Sequence, residues 1–247
     1  MREIQEGSVK SLLIRMRFNG QELAIGTAFV VRKSRGYLLI IARHNVTGRI
    51  QVDGKCLHKN AGMPNEIEII HNTTNKLGRW HGVVEPILDS NGSPLWVEHP
   101  KHGRKADFVA LPLNKLDGVA FHPYDFDEGL DIEIRPAETL SVVGFPFGLQ
   151  AEGSFAIWMT GFMASEPQID YSDLPTFLID CRTRSGNSGS PVIAIRNGVV
   201  QKKTGVSMGG GQSIKFLGIY SNRINAEADI GIVWKATAIK ELVDSIF

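Results

Sequence analysis

The chain reads as an all-β protein built from barrels and closed by a C-terminal α-helix, on three observations. In Leu12-Leu13-Ile14-Arg15-Met16-Arg17-Phe18, the apolar residues Leu12, Ile14, Met16 and Phe18 recur at every second position, while Arg15 and Arg17 take the other face. That is the period of a half-buried strand. Turn signals follow at short intervals: Asn19-Gly20 opens into an apolar run over residues 23–31, and Ser34-Arg35-Gly36 into another over 37–41. Short strands separated by such turns are the pattern of β-barrels. Near the end, Ile239, Leu242, Val243 and Ile246 recur at helical spacing, so residues 234–247 are predicted to form an amphipathic helix.

All-β barrels commonly reach 247 residues as one unit, so the length requires no second fold. Apolar residues make up 43% and charged residues 21%, enough material for a large core. The formal net charge of +1 gives no electrostatic reason to expect nucleic acid or an anionic membrane as a partner. Met1-Arg2-Glu3-Ile4-Gln5-Glu6-Gly7 lacks the apolar core of a secretory signal, and no apolar run approaches the ~18 residues of a membrane span. Cys56 and Cys181 are expected to be free thiols, which suits a reducing compartment, and a cytoplasmic location is expected. Of the three N-x-S/T sequons, at Asn45, Asn72 and Asn91, a glycan on the first would crowd His44, so all three are read as chance occurrences.

Residues 54–65 and 89–103 read as surface loops, and 205–212 as a hairpin loop. His99 and His102, and likewise His71 and His81, find no carboxylate or Cys at a zinc-ligand spacing and are expected to be solvated loop histidines. No metal is expected. Gly209-Gly210-Gly211 lacks the Lys-Ser/Thr and helix of a phosphate-binding loop.

The most informative stretch is Gly186-Asn187-Ser188-Gly189-Ser190-Pro191. Its glycines permit backbone angles closed to other residues, letting the N–H groups of Gly186 and Ser188 converge on one oxygen, the geometry of an oxyanion hole. A serine hydroxyl at neutral pH needs a general base, and that base needs a partner to fix its tautomer. His44 ends the apolar run beginning at Leu38, and Asp107 heads Asp107-Phe108-Val109-Ala110-Leu111. A carboxylate buried there needs hydrogen-bond donors, and an imidazole N–H supplies one.

The order His44, Asp107, Ser188 with these flanking strings resembles the chymotrypsin/trypsin-like serine peptidase superfamily, in its bacterial-type branch. α/β-Hydrolases and subtilisins run in other orders. Gly26-Thr27-Ala28-Phe29-Val30-Val31 resembles the strand before the catalytic His, Gly144-Phe145-Pro146-Phe147-Gly148 a loop of the bacterial branch, and Leu217-Gly218-Ile219-Tyr220-Ser221 the strand lining the primary specificity pocket. The resemblance covers nearly the whole chain. It implies a double six-stranded antiparallel β-barrel with a C-terminal helix: residues 1–117 carry His44 and Asp107, residues 118–247 carry Ser188, and the boundary falls near 112–123.

The resemblance further implies a cofactor-free serine endopeptidase acting on polypeptide. Ser188 is the nucleophile, His44 the acid-base, Asp107 its orienting partner, and the N–H groups of Gly186 and Ser188 the oxyanion hole. Substrate would be bound by Arg182, Thr183, Tyr220 and Ser221. Arg182, not an acidic residue, stands six before Ser188, so cleavage after Lys or Arg is not implied. Thr183 and the Gly186–Pro191 string resemble the glutamate-specific bacterial branch, which has His where this chain has Tyr220, and the preferred residue stays open. Asn187 replaces the Asp that pairs with a proteolytically freed ammonium in digestive relatives, so activation by that cleavage is not expected. An esterase, and a latent or non-catalytic trypsin-like binding module used or activated by a regulatory partner protein, are the alternatives.

Overall fold

The computed structural model describes residues 4–34, 36–51, 53–57, 62–74, 77–225 and 227–246. Arg35 of the expected second turn, residues 58–61 of the expected loop at 54–65, and Phe247 of the expected helix lie outside them. After a single helical turn, α1 (Gly7–Lys10), come β1 (Ser11–Phe18), β2 (Gln21–Lys33), β3 (Gly36–Ile41) and a second short helix, α2 (Arg43–Thr47). Strands β4 (Glu66–Thr73), β5 (Trp80–Pro86), β6 (Val97–Glu98), β7 (Val109–Pro112) and β8 (Val119–Ala120) complete the first half. The second half holds β9 (Thr139–Gly144), a 3-10 turn at Pro146–Gly148, β10 (Ile157–Met163), β11 (Thr176–Asp180), β12 (Pro191–Lys202), β13 (Gly205–Arg223), β14 (Ile230–Lys235) and the C-terminal helix α3 (Ala236–Ser245).

The architecture is all-β, as expected, and it fits a chymotrypsin-like double barrel. β9 to β14 close into a six-stranded barrel in the order β10-β11-β14-β13-β12-β9. The first half is an eight-stranded sheet in the order β5-β4-β1-β2-β3-β7-β6, with β8 on β4, so its strand count exceeds six. β8 is the last strand of the first sheet and β9 the first of the second.

Alternation decides which core each side chain enters. Leu12, Ile14 and Met16 of β1 pack with Leu39, Ile41, Ile67, Ile69 and Val109 inside the first sheet. Phe18, expected on the same face, is exposed at the strand end, where β1 turns into β2. Ile179, Val192, Ala194 and Val233 fill the second barrel. A third cluster joins the halves: Leu13, Phe29 and Phe108 from the first meet Val143, Phe145, Ile193 and Trp234 from the second, with Ile239 and Leu242 of α3 packed against them. Replacing Ile239 by Ala is expected to cost about 2–5 kcal/mol, read from the urea midpoint at unchanged slope.

Four sequence expectations are corrected. Trp234 belongs to β14, not the helix, because its backbone pairs with Thr176 and Ile219 in the barrel. Residues 205–212 are strand rather than loop: β12 and β13 form one long hairpin whose register shift between Asn197 and Val199 absorbs the glycine run. The 89–103 stretch contains β6, paired to β7. His71 and His99 are buried, not solvated: His71 lies opposite His81 across the β4–β5 ladder, and His99 Nδ1 accepts the N–H groups of Lys101 and His102 at 3.2 Å each. Burial drives the pKa of His71 down to about 4, so its imidazole is neutral near pH 7.

Two pairings place the candidate site. Ile41 lies opposite Val109, which brings the chain leaving β3 towards His44 alongside the chain entering β7 past Asp107. Pro191 lies opposite Ile219, so the turn preceding β12 sits beside Tyr220 and Ser221 of β13. No helix among the described residues is long and apolar enough to cross a membrane.

Candidate active site

His44 stands in the first turn of α2, not at the strand end the apolar run suggested. Asp107 fixes that turn with backbone and side chain together. Its carbonyl accepts the Arg43 N–H at 3.2 Å and its Oδ1 the His44 N–H at 3.1 Å. The same carboxylate meets His44 Nδ1 at 2.8 Å through Oδ2 and 3.0 Å through Oδ1. A carboxylate only accepts, so Nδ1 carries the proton and Nε2 keeps its lone pair. Ser221 Oγ adds a third donor group at 2.5 Å to Oδ2. Asp107, 2% exposed, is thereby compensated by three donors. Burial of the imidazole opposes its charged form, but the field of Asp107 and its hydrogen bond together outweigh this, holding the His44 pKa above its ordinary 6.5.

Ser188 lies on a turn anchored from both halves. Its carbonyl accepts the Thr27 N–H at 3.1 Å, while Gly189 N–H donates to Tyr220 O at 2.9 Å and Tyr220 N–H to Ser190 O at 2.8 Å. Gly189, at φ +90°, permits no side chain: a Cβ would sit 2.0 Å from Thr27 O.

Peptide orientation in the turn follows from its carbonyls. Ser185 O accepts Phe147 N–H at 2.6 Å, and Asn187 O accepts Ser190 N–H at 2.9 Å. Every described peptide is trans, so the N–H groups of Gly186 and Ser188 point the opposite way from those carbonyls. Neither finds an acceptor among the described residues. Gly186 holds φ +93°, with space for a Cβ blocked 2.3 Å away by Phe145 O. Thr27, which sequence reasoning did not single out, locks the loop: its buried hydroxyl donates to Gly186 O at 2.8 Å and accepts Phe145 N–H at 3.1 Å. Asn187 is buried beneath, its Nδ2 3.1 Å from Met159 Sδ.

The structure does not link Ser188 directly to His44. The Ser188 hydroxyl donates to Ser221 O at 3.0 Å. Ser221 thus bridges the two, with its carbonyl on Ser188 and its hydroxyl on Asp107. It was expected to bind substrate; its side chain is instead committed to Asp107. Thr183 and Tyr220, expected to line a pocket, are 0% and 3% exposed and bond each other, Thr183 Oγ1 to Tyr220 OH at 2.6 Å. Burial pushes the Tyr220 phenol up to about 12, so it stays neutral. Arg182 projects into solvent, 3.9 Å from Asp229, which also binds Arg184 at 3.0 Å. Cys181 and Cys56 are both free thiols. The described residues contain no cluster of His, Cys, Asp and Glu able to hold a metal ion.

The fold is that of the chymotrypsin-like serine proteases. The active form of the Rv3671c protease from M. tuberculosis superposes with a TM-score of 0.54 at 15% identity, covering 97% of this chain and 82% of that one. The thermostable serine protease AL20 from an extremophilic microorganism gives 0.55 at 12% identity over 97% of both chains. The serine endoprotease from Yersinia pestis gives 0.52 at 13% identity, covering 96% of this chain but 64% of its own length. No protein-family model matches the chain, and no curated protein matches its sequence.

Proposed function

We propose that the chain is a serine endopeptidase. The observation that carries this reading is the buried His44–Asp107 pair beside a serine turn with two N–H groups that have no acceptor among the described residues. Ser188 attacks the scissile carbonyl, and His44 Nε2 takes its proton. The tetrahedral oxyanion falls to the N–H groups of Gly186 and Ser188. His44 then protonates the leaving amine, and water, activated by the same imidazole, hydrolyses the acyl-enzyme. Asp107 holds the tautomer throughout, and Ser221 holds Asp107. No step calls for a cofactor. The two free cysteines support work in a reducing compartment, and the cytoplasm is the location we assign.

One observation favours the second reading, a latent module. The Ser188 hydroxyl rests on Ser221 O, so it must turn about its Cα–Cβ bond towards His44 before chemistry. A fluorophosphonate probe separates the two. A competent enzyme is labelled stoichiometrically at Ser188, with no labelling of Ser188→Ala. An unlabelled wild-type protein would point to the latent form.

A further inference from the structure

Beside the candidate triad lies a cleft of about 540 Å³ that the mechanism does not use. Its walls are shared with the segments that carry His44 and Asp107: Arg43 precedes His44 in α2, and Arg104 lies three residues before Asp107. Arg43, Arg49 and Arg104 line it together with Ile50, Gln51 and Trp96, and among the described residues no carboxylate does.

Nearby acids are already engaged. Glu98 holds Arg43 at 2.9 Å, Asp53 holds Lys55 Nζ at 2.9 Å, and Asp89 Oδ1 accepts the N–H groups of Asn91 and Ser93 at 2.8 Å each. Arg49 reaches only neutral acceptors, Gly54 O at 3.4 Å, Cys56 Sγ at 3.1 Å and Met63 Sδ at 3.4 Å. Arg104 has no ion-pair partner among the described residues. Two guanidinium groups therefore border one concave surface without counter-charge, a geometry suited to carboxylates. In the same wall the buried Trp96 Nε1–H, a donor, has no partner among the described residues. Buried polar groups ordinarily find one.

We propose that this cleft binds an acidic polypeptide segment, its Asp or Glu carboxylates held by Arg49 and Arg104. On the peptidase reading, this segment flanks the scissile bond of the substrate and makes acidic chains the preferred class.

The test measures binding, so it does not depend on turnover. Fluorescein-labelled Glu-rich and Gln-rich peptides of equal length are titrated into Ser188→Ala by anisotropy at low and at physiological salt. The Glu peptide is expected to bind at least about tenfold tighter at low salt, an advantage reduced by salt. Arg49→Gln with Arg104→Gln should remove that advantage, while Arg49→Lys with Arg104→Lys retains part of it, and thermal unfolding verifies that both variants fold. Equal affinity for the two peptides, or an advantage that survives the Gln variants, would overturn the proposal. So would tighter binding of an oligothymidylate of matched charge. Failure of Ser188 labelling with acidic binding intact would sink the peptidase reading and leave the cleft standing; labelling without acidic binding would do the reverse.

Discussion

Asp107→Asn is expected to lower kcat about 10⁴-fold while leaving the fold intact. Asn has the same outline, so the buried site is neither emptied nor overfilled. What changes is the pattern of donors. The carboxylate accepts His44 Nδ1–H, His44 N–H and Ser221 Oγ–H, whereas an amide turned with its NH₂ towards Nδ1 makes that nitrogen an acceptor. The proton moves to Nε2, and the lone pair that would receive the Ser188 proton is lost. The pH dependence supplies a second readout. The base must be neutral, and His44 in the native protein titrates above 6.5, so kcat/KM should rise with pH through an inflection above that value. Removing the charge and its hydrogen bond leaves burial as the dominant influence, which favours the neutral imidazole. The residual activity should therefore inflect below 6.5. An inflection that stays put would show that Asp107 does not set the ionisation of the catalytic base.

Gly186→Ala is expected to lower kcat about 10²–10³-fold with a smaller change in KM, the loss typical of one oxyanion donor. The new Cβ would sit 2.3 Å from Phe145 O, 3.1 Å from Phe147 N and 3.3 Å from Gly148 N, all backbone atoms that cannot swing aside. The Ser185–Gly186 peptide must then rotate or the loop must lift, and either movement breaks the bond from Phe147 N–H that aims the Gly186 N–H outward. Positive φ adds about 1–3 kcal/mol of strain. Gly198→Ala is the control: at φ +73° it shares the strain but has open space around it, on the β12–β13 hairpin. Equal kcat in the two variants would count against a catalytic role for the Gly186 turn.

The parts of this structure that sequence made legible are those in which residue type is dictated locally. Two glycines flank Asn187 and Ser188, where φ values of +93° and +90° strain any side chain, and a buried carboxylate heading an apolar strand had to meet donors. What stayed hidden depends on register across the molecule. Thr27 reads as one β-branched residue among several in β2, and only its position opposite Leu13, with the second barrel closing over it, gives its hydroxyl to Gly186 and Phe145. Thr183 and Tyr220 were read as pocket walls, yet their pairing seals them into the barrel interior. The run Gly209-Gly210-Gly211 conceals a strand because glycine lacks β propensity; the pairings of Met208 with Val199 and of Gln212 with Asn197 carry the strand past it.

Thr27 also fixes how the site comes apart. Its hydroxyl spans from a strand of the first sheet to two loops of the second, and the Thr27 N–H to Ser188 O bond crosses the same seam. The Ser188 turn is thus held in shape by the neighbouring half as well as by its own. Either half keeps every strand paired under a slight parting of the two that would dissolve the Ser188 turn and the contact of Ser221 with Asp107 at once. On the peptidase reading, turnover is expected to report on the docking of the two halves and to be lost before the strands themselves melt.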